Sequence, residues 1–190
     1  MKHALDSLQY VDYPVIQLMY DAECLLTQCG TRANHDHTFP RSAVSALFAG
    51  IEGSLFVLKQ VFHDIPEFRN RLSEEEFFLL RDKTPVLSDK GEVVLKDAFL
   101  RVDANVRVLE GISNRLLGTA LDIVHSKHWA KFHQAIRVRN RITHPKRMED
   151  MGVSDEELKL MYVVFDMFVG FFAEIIQALK TSNKANAADR

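Results

Sequence analysis

The sequence predicts an all-α protein, a helical bundle of about five to six helices with a small β-hairpin inserted near residues 84–96. Three observations predict this fold. Apolar residues recur at helical spacing in several long segments, capping boxes open two of these segments, and no repeat or linker divides the 190 residues. We therefore expect a single domain over residues 1–180 and a flexible, polar tail over residues 181–190.

Each predicted helix depends on apolar residues that recur every three or four positions. A proline suited to a first turn opens the second helix, and a serine followed by acidic residues opens the third and the last. Glu52 and Lys59 are the polar residues embedded in the apolar second helix. In chain order, the predicted helices span residues 14–28, 40–63, 73–80, 98–117, 126–143 and 154–180.

The segments between these helices predict turns. Residues 30–38 and 146–152 are polar loops, and residues 122–126 form a loop or a helix junction. Residues 84–96 contain two short β-prone runs on either side of a turn at residues 88–91, which predicts an exposed hairpin. Pro145 disfavours the α conformation at His144, so the fifth helix is expected to stop there.

Residues 160–173 are nearly all apolar, but the run is shorter than a membrane span and contains Asp166. It predicts a helix buried in the core or at an oligomer interface. Cys24 and Cys29 point to different sides of a predicted helix, so a disulfide between them is improbable. With no signal-peptide-like start, these features predict a cytoplasmic protein that does not engage a membrane.

The segment that carries the most specific chemistry contains Arg139, Asn140 and His144, at the end of a predicted helix. RNA carries its own nucleophile, the 2′-hydroxyl, so its cleavage needs a base, an acid and a cation but no metal. His144 suits proton transfer, Arg139 suits stabilisation of the phosphorane charge, and Asn140 suits positioning. We expect no cofactor and no metal.

Geometry adds a condition to this prediction. Residues five apart on an ideal helix are about 140° apart, so Arg139 and His144 would face different ways. Either Pro145 releases His144 from the helix, or two chains pack around a two-fold axis so that each supplies part of one cleft.

Further cations surround the motif, although the net charge of -2 argues against a protein that coats nucleic acid through its overall field. No acidic residue interrupts this stretch before Glu149. It predicts a local RNA-backbone patch. The RNA-binding candidates are Arg137, Arg141, Lys146 and Arg147.

An arginine followed by asparagine, three further residues, a histidine and a proline resembles the signature of the HEPN superfamily. Arg139, Asn140 and His144 match its three positions, and the capped apolar helix that follows resembles the family's last helix. The resemblance implies an all-α homodimer whose motifs face each other. It also implies a metal-independent RNase, which in this family serves as a toxin of a toxin–antitoxin module or as an antiphage effector.

Two features depart from the family's pattern. Some members carry a tyrosine two residues after the histidine, which a partner nucleotidyltransferase modifies, and here that position is Lys146. The resemblance leaves open an antitoxin or a nucleotidyltransferase as partner, but the lysine puts that modification in doubt. The hairpin near residues 84–96 does not belong to the family's common core.

Each of these candidate functional residues also has a purely structural interpretation. Arginine and histidine near a helix C-terminus are favoured by the helix dipole alone. Glu52 either approaches the cleft or, as is commoner for such a residue, pairs with an arginine or faces an interface. His125, His128 and His133 form no closed metal-ligand set. The alternative functions are a non-catalytic HEPN-like binding module and, less favoured, a helical regulator with a small-molecule pocket.

Overall fold

The computed structural model describes the backbone of residues 2–29 and 38–188, and the side chains of residues 13–29 and 38–182. These ranges contain seven α-helices, one 3-10 helix at Met148–Met151 and one antiparallel two-stranded sheet. The predicted all-α class with a small hairpin is therefore confirmed. The helices are α1 (Lys2–Cys29), α2 (Thr38–Asp64), α3 (Pro66–Arg69), α4 (Glu74–Leu80), α5 (Val102–Leu117), α6 (Trp129–Thr143) and α7 (Asp155–Ala188), and the strands are β1 (Lys83–Leu87) and β2 (Val93–Asp97).

Helix α2 is the centre of the bundle and contacts α1, α3, α4, α5, α6 and α7. It packs most closely on α1, where a Cβ atom added to Gly50 would lie 3.0 Å from the carbonyl oxygen of Leu18. The aromatic core joins three helices, since Phe132 of α6 stacks on Phe48 of α2 and meets Phe168 of α7 edge to face. This packing fixes α6, which carries the motif, against α2 and α7.

The predicted start of the first helix at residue 14 is wrong. Helix α1 begins at Lys2 and continues through Pro14. A proline inside a helix removes one backbone hydrogen bond, and the sequence pattern does not distinguish such a proline from one in a first turn. The loop predicted for residues 30–38 lies outside the described residues, except for Thr38, which begins α2.

Among the remaining boundaries, those marked by capping boxes lie where predicted, and three others differ from the prediction. Both capping boxes form: Ser73 pairs with Glu76, and the backbone N–H of Ser154 donates to Glu157 while Ser154 Oγ accepts in return. Helix α5 begins at Val102 instead of residue 98, and α6 at Trp129 instead of residue 126. The last helix is longer than predicted and reaches Ala188.

The hairpin forms at its predicted place, with Val86 opposite Val94 and Leu87 opposite Val93. Lys59 of α2 anchors its base, because its ammonium donates to Asp82 at 2.5 Å and to Asn105 at 3.0 Å. Leu87 and Val93 are more than 70% exposed on one face of the sheet. The hairpin is therefore attached through its base and presents an apolar outer face.

Two segments are long and apolar enough, by length and composition, to cross a membrane: helix α2 and residues 148–182, which contain most of α7. In the folded protein, 56% of the most apolar 18-residue stretch of α2 is buried, and 39% of the corresponding stretch of the second segment. Core helices of soluble proteins meet the same criterion, and the predicted burial of residues 160–173 is seen at Met161, Val164 and Phe168. The fold is compatible with a soluble protein.

Replacing Tyr162 with phenylalanine is expected to lower the free energy of unfolding by about 1 kcal/mol near neutral pH. The Tyr162 hydroxyl donates to the carbonyl oxygen of Leu26 at 2.6 Å and so joins α7 to α1. Burial raises the pKa of Tyr162 above its ordinary value of 10.0. A raised pKa stabilises the fold below the unfolded-state value, and this contribution is lost as pH rises through the folded-state value.

Urea unfolding near neutral pH and above pH 10.0, the ordinary pKa of Tyr162, measures both effects. Wild-type protein should lose stability at the higher pH, and Tyr162→Phe should lose less of it. Burial also raises the pKa of the Cys29 thiol, so part of the alkaline loss remains in the variant. An equal alkaline loss in the two proteins would contradict the role given to Tyr162.

Candidate active site

The predicted break at the end of α6 is confirmed. The helix ends at Thr143, and His144 adopts φ -126° and ψ 60°, outside the α region. Its backbone N–H still donates to the carbonyl oxygen of Asn140 at 3.0 Å, which closes the last helical turn. Because His144 has left the helix, the 140° separation expected on an ideal helix no longer fixes the direction of its side chain.

Arg139 lies on the side of α6 that meets α2. Its guanidinium forms an ion pair with Glu52 and donates to the amide oxygen of Asn140 at 3.2 Å. The guanidinium carbon lies 5.2 Å from the centre of the Phe48 ring, within range of a cation–π interaction. Among the interpretations of Glu52, the pairing with an arginine is confirmed, and because that arginine is Arg139, the carboxylate lies beside the candidate site.

This arrangement holds the charge of Arg139 in one place without burying it. The Arg139 side chain is 27% exposed and the Glu52 side chain 48% exposed. A guanidinium has five N–H donors, and the contacts with Glu52 and Asn140 use only some of them. The guanidinium can therefore donate to a phosphate oxygen on its solvent side while Glu52 and Phe48 hold its plane.

His144 and Asn140 are both exposed. The His144 imidazole makes no hydrogen bond or ion pair with the described residues, so both ring nitrogens are open to a ligand from solvent. The amide oxygen of Asn140 accepts a hydrogen bond from Arg139, and its amide nitrogen makes no hydrogen bond with the described residues. Proton transfer requires an accessible imidazole, and His144 meets that requirement.

Arg141 was predicted to bind RNA, but its guanidinium is hydrogen-bonded to other residues of the protein. It donates to both carboxylate oxygens of Glu157, at 2.7 and 2.8 Å, and to the carbonyl oxygens of Asp150 and Gly152, each at 2.7 Å. These bonds link the end of α6 to the 3-10 helix and the start of α7. Arg141 therefore shapes the loop after the motif, and these contacts favour a positioning role over the predicted contact with RNA.

The loop after His144 is held by Asp150. One carboxylate oxygen of Asp150 accepts the backbone N–H groups of Lys146 and Arg147, at 2.9 and 3.0 Å. The side chains of Lys146, Arg147 and Arg137 are exposed and form no ion pair with the described residues. Three of the predicted RNA-binding cations are therefore available to phosphate.

Acidic residues reach this segment from other helices, and of the two, Glu52 was anticipated from the sequence but Glu157 was not. Glu52 comes from α2 and Glu157 from α7, and each neutralises one arginine of the predicted patch. Residues 137–147 contain no acidic residue, but in the folded protein their net positive charge is reduced by carboxylates from α2 and α7. The only sequence signal for these contacts was a carboxylate embedded in an apolar helix and a glutamate in a capping box.

Replacing Arg141 with lysine is expected to lower the free energy of unfolding by about 2 kcal/mol, because a single ammonium cannot reach Glu157 and the carbonyl oxygens of Asp150 and Gly152 as the two guanidinium nitrogens do. Chemical denaturation measures the change. The matched control is Arg137→Lys on the same helix, where an exposed arginine without a partner in the described ranges should change stability by less than about 0.5 kcal/mol. Equal effects of the two substitutions would remove the positioning role of Arg141.

No family model, no curated protein and no solved structure matches this chain. The HEPN resemblance of Arg139, Asn140 and His144 therefore stays a prediction.

Proposed function

We propose that this protein is a metal-independent endoribonuclease of the HEPN type, in which His144 transfers protons, Arg139 stabilises the transition state and Asn140 positions the phosphate. The observation that carries the proposal is the end of α6. There an exposed imidazole without a side-chain partner in the described ranges follows a guanidinium held by Glu52 and Phe48. A movable proton and a fixed cation are the two groups that this cleavage needs.

The reaction proposed here uses the nucleophile that RNA carries. His144 takes the proton of a 2′-hydroxyl, and the 2′-oxygen forms a bond to the adjacent phosphorus. The guanidinium of Arg139 stabilises the added negative charge of the phosphorane. The bond from phosphorus to the 5′-oxygen then breaks, and that oxygen receives a proton. The products are a 2′,3′-cyclic phosphate and a 5′-hydroxyl end.

The reaction needs one group to accept a proton and one to donate it, and each chain offers one histidine in the motif. We propose that a homodimer supplies both, with two copies of His144 facing one cleft around a two-fold axis. Arg137, Lys146 and Arg147 then contact the RNA backbone on either side. Arg141 is left out of this surface because its guanidinium is bound to Glu157.

The biological setting follows from the resemblance alone. We propose a cytoplasmic toxin or antiphage effector, controlled by an antitoxin or a nucleotidyltransferase partner. Lys146 stands where a modifiable tyrosine occurs in some members, which favours control by protein binding over control by modification at that position.

A non-catalytic binding module is the second candidate, and one observation favours it. Arg139 is already paired with Glu52 and packed on Phe48, so its charge has a structural partner before any phosphate arrives. If that pair serves only to join α6 to α2, the motif is a helix end and the protein binds a partner without cleaving RNA. Cleavage chemistry separates the two candidates.

The experiment that tests the proposal compares two substrates in EDTA. The purified full chain should cleave an all-RNA oligonucleotide and leave a 2′,3′-cyclic phosphate end. The same oligonucleotide with 2′-methoxy groups at every position should remain intact, because it lacks the nucleophile. Cleavage of both substrates, or cleavage of RNA only after a divalent metal is added, would contradict the mechanism.

A further inference from the structure

Three potential metal ligands converge beside the N-terminal end of α6. One ligand atom each from Glu110 of α5, and from Asp122 and His125 of the following loop, lies within 4.8 Å of the other two. The Nδ1 atom of His125 and a carboxylate oxygen of Asp122 are 2.7 Å apart. The cluster joins His125 to two carboxylates, whereas the sequence draws attention to its neighbouring histidines, His128 and His133.

Glu110 is the unusual member of this cluster because it is a carboxylate in the core. The residue is only 8% exposed, and one of its oxygens accepts the backbone N–H of Val124 at 3.0 Å. Its other oxygen makes no hydrogen bond within the described ranges. A buried carboxylate normally has a cationic partner, yet no lysine or arginine in those ranges forms an ion pair with Glu110 or Asp122.

The cluster therefore holds two carboxylates and, among the described residues, one nitrogen ligand, the imidazole of His125. The buried Glu110 carboxylate and the exposed Asp122 carboxylate repel each other when both are ionised, and a cation that both contact removes that repulsion. The loop is already positioned for such a contact. Asn114 of α5 receives the backbone N–H of Leu121 and donates to its carbonyl oxygen, each at 2.8 Å, so the loop is fixed next to Glu110.

We propose that Glu110, Asp122 and His125 bind a divalent zinc ion, which holds the loop before α6 against α5. Imidazole nitrogen and carboxylate oxygen are both zinc ligands, whereas magnesium and calcium favour sites built from oxygen alone. Ligand atoms about 2.1 Å from a tetrahedral ion are about 3.4 Å apart, so a small rotation of the exposed Asp122 and His125 side chains closes the site. Water fills the remaining position.

This site is separate from the motif at the other end of α6. The helix has 15 residues, which at about 1.5 Å per residue gives a length of about 22 Å between its ends. His125 precedes the first turn and His144 follows the last. The proposed zinc ion therefore lies away from the proposed cleavage chemistry, and zinc binding is measured without RNA, so failure of the zinc proposal leaves the proposed function standing.

Isothermal titration of the EDTA-treated and dialysed full chain with zinc chloride tests this site. Wild-type protein should bind one zinc ion and show a melting temperature that rises with zinc concentration, with a much weaker response to magnesium or calcium. Asp122→Asn and His125→Ala should each weaken zinc binding at least about tenfold. Both residues are exposed, so both variants should fold, which circular dichroism checks.

His144→Ala is the matched control, because it removes another exposed histidine at the far end of the same helix. It should bind zinc with wild-type affinity. Absence of binding in the wild-type protein at about 100 µM zinc, or equal affinity in His125→Ala and His144→Ala, would overturn the assignment.

Discussion

Replacing Asp82 with alanine is expected to lower the free energy of unfolding by about 3–5 kcal/mol. This is the largest effect on stability that we expect from a single substitution. Asp82 is the anionic partner of Lys59, whose side chain is only 2% exposed in the core face of α2. Without Asp82, the ammonium keeps only the amide oxygen of Asn105 at 3.0 Å. An uncompensated charge would then remain buried.

The geometry of Asp82 adds a smaller contribution to this loss. Its φ of 51° lies in the left-handed region, which aspartate and asparagine adopt more readily than alanine. Asp82→Asn should therefore be milder than Asp82→Ala, since it keeps both the backbone preference and a hydrogen-bond acceptor. The double variant Lys59→Met with Asp82→Asn should recover part of the loss, because it removes the stranded charge.

Urea denaturation measures these differences, and a second ion pair on the hairpin serves as the control. Lys83 and Asp97 pair across the base of the strands, where their side chains are 34% and 62% exposed. Asp97→Ala should cost less than about 1 kcal/mol. If Asp82→Ala costs no more than Asp97→Ala, Lys59 does not depend on its ion pair.

Replacing Arg139 with alanine is expected to lower kcat about 100-fold to 1,000-fold in RNA cleavage, with a smaller change in KM. The guanidinium is proposed to stabilise charge that exists only in the transition state, so its loss should reduce kcat. Lysine should restore only part of the rate, because an ammonium cannot donate to Glu52, Asn140 and a phosphate from one plane. Single-turnover kinetics measures this change.

Two further variants separate catalysis from RNA binding and from positioning. Arg137→Ala should raise KM and reduce the salt dependence of cleavage, with little change in kcat, because it removes one contact with the RNA backbone.

Glu52→Gln should lower kcat about tenfold, since the guanidinium loses its fixed orientation but keeps its charge. Equal kcat in wild-type protein and Arg139→Ala would remove Arg139 from the mechanism and favour a binding module.

Local signals predicted much of the fold. The capping boxes of Ser73 and Ser154 began helices where expected, and Pro145 ended α6 before His144. The hairpin followed from a turn between two β-prone runs. These features depend on a few neighbouring residues, so a single sequence contains the information. The start of α1 was predicted wrongly at Pro14. Whether a helix continues through a proline depends on how the rest of the helix packs and not on the neighbouring residues alone.

The candidate site was less predictable, because its contacts join residues distant in sequence. The motif residues themselves could be named, and the pairing of Glu52 with an arginine was one of three expectations. That Glu157 would occupy Arg141 could not be inferred from residues 137–147, since the contact depends on how α7 packs on α6. The cluster of Glu110, Asp122 and His125 was missed because it depends on how the loop before α6 folds back on α5.

The most direct test of the central claim is cleavage of all-RNA oligonucleotide in EDTA by wild-type protein and by His144→Ala, both checked for folding by circular dichroism. His133→Gln, which changes a histidine on the same helix away from the motif, serves as the control. We predict 2′,3′-cyclic phosphate products from wild-type protein and the control, and cleavage reduced at least about 100-fold in His144→Ala. Full cleavage by folded His144→Ala would contradict the account.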